Sequence, residues 1–208
     1  MDKIFGTDGP LFKFLEKAVN VIFLNILWLI FSIPVITIGA ATTAMYSVMM
    51  KMARDREGYI FKSFWKAFKE NFRQSTVIWL IVIAASTIVC ADIYFFFTVE
   101  WGSIGRCLGA VFIGIAIIVA FGIMYVFPLQ AQFENKVKQT VINALLVASK
   151  HFAWTMLLLL IHIITAFAVY LFWYAAGWCI IGIGAYLCAL IYNRIFRKYI
   201  PEELRDEY

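Results

Sequence analysis

Four stretches without Asp, Glu, Lys or Arg dominate this sequence: residues 18–50, 74–91, 107–133 and 151–193, of 33, 18, 27 and 43 residues. A bilayer core about 30 Å thick is crossed by about 20 helical residues rising about 1.5 Å each. A soluble chain of 208 residues has too little interior to hide runs of this length. Composition agrees, with 63% apolar residues, 15% charged and a mean hydropathy of +0.85; soluble domains have about 45–50% and about 25%. The chain therefore reads as an all-α polytopic transmembrane bundle, one integral membrane domain over 1–208 with the lipid bilayer as its partner. The first apolar run begins after Lys17 and has no short A-x-A cleavage site, so it is expected to remain as the first span.

The last interval would make about 64 Å of helix, so it must hold two spans, with Gly177 as the natural turn. The second extends past Asp92 to Thr98, and the third makes one span ending near Pro128. The first interval has two solutions. Pro34 lies at its middle, followed by Thr37 and Gly39, and proline breaks a helix by removing a donor and clashing with the preceding turn. A kinked single span gives five spans in all; a tight extracytoplasmic hairpin gives six. Cytoplasmic loops carry the Lys/Arg excess. Six spans, at about 18–33, 36–51, 75–98, 105–128, 152–173 and 178–195, put 17 of the 18 basic residues on one side, whereas five spans put 14 there. Six spans with both termini cytoplasmic is the better reading, with each arm of the first hairpin short for a span.

Two stretches about 80 residues apart are alike. Met45-Tyr46 and a charged linker lead to Ala67…Asn71-Phe72, and Met124-Tyr125 and a charged linker lead to Val147…His151-Phe152. This pattern predicts a hairpin repeat in which spans are joined through cytoplasmic amphipathic surface segments, an arrangement found in membrane carriers. In the segment 59–73, Phe61, Phe64, Trp65, Phe68 and Phe72 share one helical face, and Lys62, Lys66, Lys69 and Arg73 follow the same period on another. Such a helix either lies in the interface with its rings in the acyl boundary or extends the following span outward with snorkelling lysines. The counterpart at 136–150 is less amphipathic. These segments are also where a partner ATPase or regulator would dock.

Catalytic patterns are missing: there is no GxxxxGK[ST], HExxH or GxSxG, and no paired carboxylates occur within a span. The four cysteines have no metal-ligand spacing and read as small apolar residues, with an extracytoplasmic disulfide as the alternative. No catalytic residue, cofactor, metal or nucleic-acid partner is expected. Intramembrane polar residues are the remaining candidates. His162 lies near the middle of its span, as a histidine bonded to a neighbouring helix or as a proton- or substrate-linked group. Asp92, near an outer end, would snorkel or pair with Arg106.

Several segments together resemble the YesL-like bacterial integral membrane proteins over nearly the whole chain. They are Asn25-Ile-Leu-Trp28, Ser32-Ile-Pro-Val-Ile-Thr-Ile-Gly-Ala-Ala-Thr-Thr-Ala-Met-Tyr46, Phe64-Trp-Lys-Ala-Phe-Lys-Glu-Asn-Phe72, Phe127-Pro-Leu-Gln-Ala-Gln-Phe-Glu-Asn135 and Asn143-Ala144. Gln132 departs from the arginine more usual at its place. Physically, Pro34 and Gly39 would form the sharp outer turn and Pro128 would end a span. Glu134 and Asn135 would open the next surface segment by satisfying free backbone donors.

The resemblance implies a bacterial cell membrane and gene neighbourhoods that include ATP-binding-cassette carbohydrate uptake systems. The expected function is therefore a non-enzymatic accessory of carbohydrate uptake that contacts sugar-permease subunits. Phe64, Trp65 and Asn71 lie in the segment that would touch a partner. The alternative is a small-solute carrier, acting alone or as an oligomer, that uses His162.

Overall fold

The structure, a computed structural model, describes residues 10–56, 58–99, 102–172 and 177–202. Every regular element among them is helical: α1 Pro10–Ser32, α2 Ile38–Met52, α3 Ile60–Thr98, α4 Gly102–Gln132, α5 Val137–Lys150, α6 Phe152–Leu171 and α7 Gly177–Phe196, with 3-10 turns at Val35–Thr37 and Arg197–Tyr199. Six helical segments are long and apolar enough to cross a membrane: α1, the Val35–Thr37 turn joined to α2, α3, α4, α6 and α7. Gly177 opens α7, and the predicted turn at 174–176 lies outside the described residues.

Pro34 sits in a true turn. Its extended backbone (φ −73°, ψ 112°) separates α1 from the 3-10 turn leading into α2. The Thr37 hydroxyl donates to the carbonyls of Phe31 and Pro34 at 2.6 and 2.7 Å, and the Trp79 indole donates to the Val35 carbonyl at 2.8 Å. Acceptors freed by the break are thereby satisfied, as burial in lipid demands. The arms run antiparallel: Trp28 Nε1 donates to Thr42 Oγ1 at 3.0 Å near the turn, and Lys17 pairs with Asp55 at the other end. The first charge-free interval is a hairpin, and the kinked single span is excluded.

α2 is the central helix, touching α1, α3, α4 and α7. Small residues on it permit close packing. A Cβ on Gly39 would lie 2.5 Å from the Ser75 carbonyl oxygen and 2.6 Å from Trp79 Cβ. One turn on, buried Thr43 donates to the Gly39 carbonyl and shares a hydroxyl bond of 2.9 Å with buried Ser75.

α3 is one unbroken helix of 39 residues, about 58 Å long and so well beyond a single bilayer crossing. Its first turns extend the span; they are not a separate interfacial helix. The aromatic face is covered by protein: Phe64 and Phe68 are buried, and the rings of Phe64, Trp65 and Phe68 lie 5.4, 5.4 and 5.2 Å from that of Phe31 on α1. Phe61 and Phe72 remain exposed. The counterpart, α5, is the separate helix, and it buries Thr140, Ala144, Val147 and Ala148 on one stripe.

The repeat has equivalent contacts in both copies. Tyr46 on α2 and Tyr125 on α4 both meet the Tyr192 ring edge-on, at 5.6 and 5.5 Å. Ser75 and Thr155 each stand three residues after the repeated phenylalanine. Ser75 bonds to Thr43 and Thr155 to Tyr125, both at 2.9 Å and both to the span before.

Pro128 does not end its span. α4 continues through it to Gln132. Proline at 128 cannot donate to the carbonyl four residues back, that of Met124, and the Tyr192 hydroxyl donates there instead, at 2.6 Å. A tertiary partner from α7 thus replaces the missing backbone bond.

Candidate functional site

A cavity of about 920 Å³ opens where the end of α2, the start of α3 and the end of α4 converge. Sequence period places its groups. Lys62, Lys66 and Glu70 recur every four residues along α3, with Ser63, Ala67, Asn71 and Gln74 beside them. The end of α2 contributes Ser47, Lys51 and Arg54, and the α4–α5 link contributes Gln132, Glu134, Asn135 and Lys136. Five cationic side chains and two carboxylates therefore surround a floor of amides and two serine hydroxyls. One carboxylate, Glu70, lies 3.9 Å from the Lys66 ammonium.

Gln130 organises the floor. It is only 4% exposed, and its amide donates to Gln74 Oε1 at 2.6 Å and to Asn71 Oδ1 at 3.3 Å. Its own Oε1 accepts from Thr140 on α5 at 3.0 Å. Asn71 in turn donates to the Ala67 carbonyl at 3.0 Å. A buried polar group is stable only when bonded in this way, and the network ties α3, α4 and α5 together beneath the charged rim. The arrangement can present amide and hydroxyl groups to a bound molecule within a field of positive charge.

Of the residues singled out in the sequence, Asn71, Glu134 and Asn135 line this cleft. Glu134 and Asn135 do not cap α5; its N-cap is Lys136, and no side-chain cap bond is made. Phe64 and Trp65 face the α1 hairpin through Phe31. Pro34, Thr37 and Gly39 build the turn and the α2–α3 crossing. His162 and Asp92 lie outside the cleft. His162 Nδ1 is 2.8 Å from the Leu158 carbonyl, one turn back, and 3.8 Å from Cys188 Sγ on α7. It borders a second cavity of about 430 Å³, mostly apolar, with Trp28, Tyr46 and Thr165. Asp92 is half-buried, and among the described residues it forms no ion pair with Arg106. The four cysteines are free, and among the described residues no three His, Cys, Asp or Glu side chains converge.

Lys51, Arg54, Lys62, Gln74, Gln130 and Lys136 emerge as site residues only from the structure. Gln74 and Gln130 were the available signal: two amides near the ends of charge-free intervals, where an unbonded amide is costly.

Two titrating contacts lie at the same basic end. Asp55 is held below the usual carboxylate range by its bond to Lys17 and by that lysine's charge. His151 is pushed down by burial, then by the charges of Lys198 and Lys150, and its Nε2 lies 3.0 Å from the Tyr199 hydroxyl.

The family described as "Protein of unknown function, DUF624" matches residues 21–93, the stretch that contains most of α1, all of α2 and most of α3. The chain is 29% identical over 159 residues to "Uncharacterized protein YesL" of Bacillus subtilis (strain 168), covering 74% of each chain. It is 24% identical over 158 residues to "Uncharacterized protein YteU" of the same organism, covering 74% of this chain and 70% of that one. No solved structure matches. The chain is thus similar to these two uncharacterised proteins, and its six apolar helices make it a multi-pass membrane-type protein.

Proposed function

We propose that the protein is a non-catalytic accessory of ATP-binding-cassette carbohydrate uptake, with its basic end in the cytoplasm, and that it works by binding at the polar cleft. The observation that carries this reading is a cluster of buried rings on the helices that bear the cleft. Next to Ser47 on α2, and just before Gln130 on α4, the rings of Tyr46 and Tyr125 are buried against Tyr192. Tyr125 and Tyr192 are fully buried, and close-packed rings do not conduct. This favours recognition at one face over passage through the bundle. The clustering of Lys and Arg at that end supports the cytoplasmic placement, and the family resemblance supplies the uptake context.

Gentle detergent copurification from native membranes, with a C-terminal tag and mass spectrometry, tests the reading. Recovery of permease and ATPase subunits, reduced by the double substitution Lys62→Glu, Lys136→Glu, is the expected result. Consistent recovery of the protein without such subunits would overturn the accessory role.

A small-solute carrier is the second reading, supported by the cavity beside His162. It requires proteoliposomes to accumulate solute and His162→Ala to reduce the rate; inert proteoliposomes would remove it.

A further inference from the structure

The chemistry of the cleft specifies a ligand class. A rim with five cations and two carboxylates attracts an anion. Below it, Asn71, Gln74, Gln132 and Asn135 offer amide donors and acceptors, the groups that pair with neutral hydroxyls. A purely electrostatic surface would not need them, and a site for a neutral sugar would not need the lysines. The lysines come from separate elements: Lys51 from α2, Lys62 and Lys66 from α3, Lys136 from the α4–α5 link. They ring a concavity instead of forming one solvated stripe. At about 920 Å³ the cleft lies in the range of small-molecule sites, about 300–1,000 Å³. Its floor is held in place by the Gln130 bonds to Gln74, Asn71 and Thr140.

We propose that this cleft binds a phosphate ester of a polyhydroxylated molecule, the phosphate among Lys51, Lys62 and Lys136 and the hydroxyls against Gln74, Asn71 and Asn135. The phosphate supplies charge-assisted bonds to the ammonium groups, the strong class of hydrogen bond. The same chemistry is carried by a soluble sugar phosphate and by the phosphoglycerol headgroup of an anionic lipid. The inference rests on reading the cleft as a binding site and not on the uptake role, so it survives a negative copurification.

The test uses the full chain purified in neutral detergent. Glucose 6-phosphate, glucose and inorganic phosphate are titrated calorimetrically, and native mass spectrometry compares retention of phosphatidylglycerol with that of phosphatidylcholine. Binding of glucose 6-phosphate ahead of both glucose and phosphate would identify a soluble ligand. Selective retention of phosphatidylglycerol would identify the headgroup. In either case Lys62→Ala and Lys136→Ala should each weaken binding about tenfold, Gln74→Ala should narrow the preference over inorganic phosphate, and Lys13→Ala, outside the cleft, should change nothing. Failure of the folded protein to bind either probe, or binding equally strong in the lysine variants, would overturn the proposal.

Discussion

The Tyr192 hydroxyl donates to the Met124 carbonyl at 2.6 Å, the acceptor that Pro128 leaves without a helical partner. One side chain on α7 thereby makes a proline tolerable inside α4, and its ring also meets those of Tyr46 and Tyr125 edge-on. Tyr192→Phe should lower stability by about 1–3 kcal/mol, the cost of an unpaired buried acceptor. Pro128→Ala restores an N–H at that position, so the double variant should recover much of the loss. Thermal unfolding in detergent reads both; a Tyr192→Phe loss that Pro128→Ala leaves untouched would assign the cost to something other than this carbonyl.

At the α2–α3 crossing, Gly39→Ala should destabilise by about 1–3 kcal/mol, because its Cβ would meet the Ser75 carbonyl oxygen, which is backbone and cannot rotate aside. Gly114→Ala is the matched control, with open space around its Cβ, and should leave the unfolding temperature unchanged. Equal behaviour of the two variants would contradict the close crossing.

Along the first turns of α3, Phe64→Ala should cost about 3–5 kcal/mol, since its ring is fully buried against Phe31. Phe61→Ala, at a position 52% exposed, should stay within about 0.5 kcal/mol. Comparable losses at both would return the segment to an interfacial helix.

This difference marks a limit of the sequence reading. A helical stripe of rings has the same period whether lipid or protein covers it, and Phe31, which does the covering, belongs to a different span. The span count was legible because charge is excluded from hydrocarbon whatever the packing. The hairpin at Pro34 was legible because only that solution collects nearly all the basic residues on one side. The repeat at Tyr46 and Tyr125 was legible too, but its meeting point, Tyr192, lies outside both copies.

The cleft was hidden for another reason. Gln74 and Gln130 are uncharged and fall within the intervals used to locate spans, and the lysines around them read as ordinary positive-inside residues. Their convergence depends on how α2, α3 and α4 end, which no local pattern encodes. Pro128 misled likewise: its rescue by Tyr192 is a contact across 68 positions of sequence separation.

His151 should couple the end of the chain to pH. Its value is lowered by burial and by Lys198 and Lys150, so the neutral ring is favoured in the fold. A lowered value means that its contribution is complete above the usual histidine range and is lost as pH falls through the folded value. Protection of the amides at residues 197–200, corrected for the intrinsic exchange rate, should therefore fall as pH drops through the histidine range, and His151→Gln should flatten that dependence. An unchanged profile in the variant would place the sensitivity elsewhere.

The measurement that bears most directly on the account is the sidedness of the cleft, because recognition from the cytoplasm requires its lysines to face inward. On a cysteine-free background, Ile33→Cys at the hairpin tip, a position 77% exposed, and Lys62→Cys at the cleft rim would be labelled with a membrane-impermeant maleimide. Ile33→Cys should react in intact cells and Lys62→Cys only after permeabilisation. Labelling of Lys62→Cys in intact cells, with Ile33→Cys protected, would turn the bundle over and contradict the proposed function.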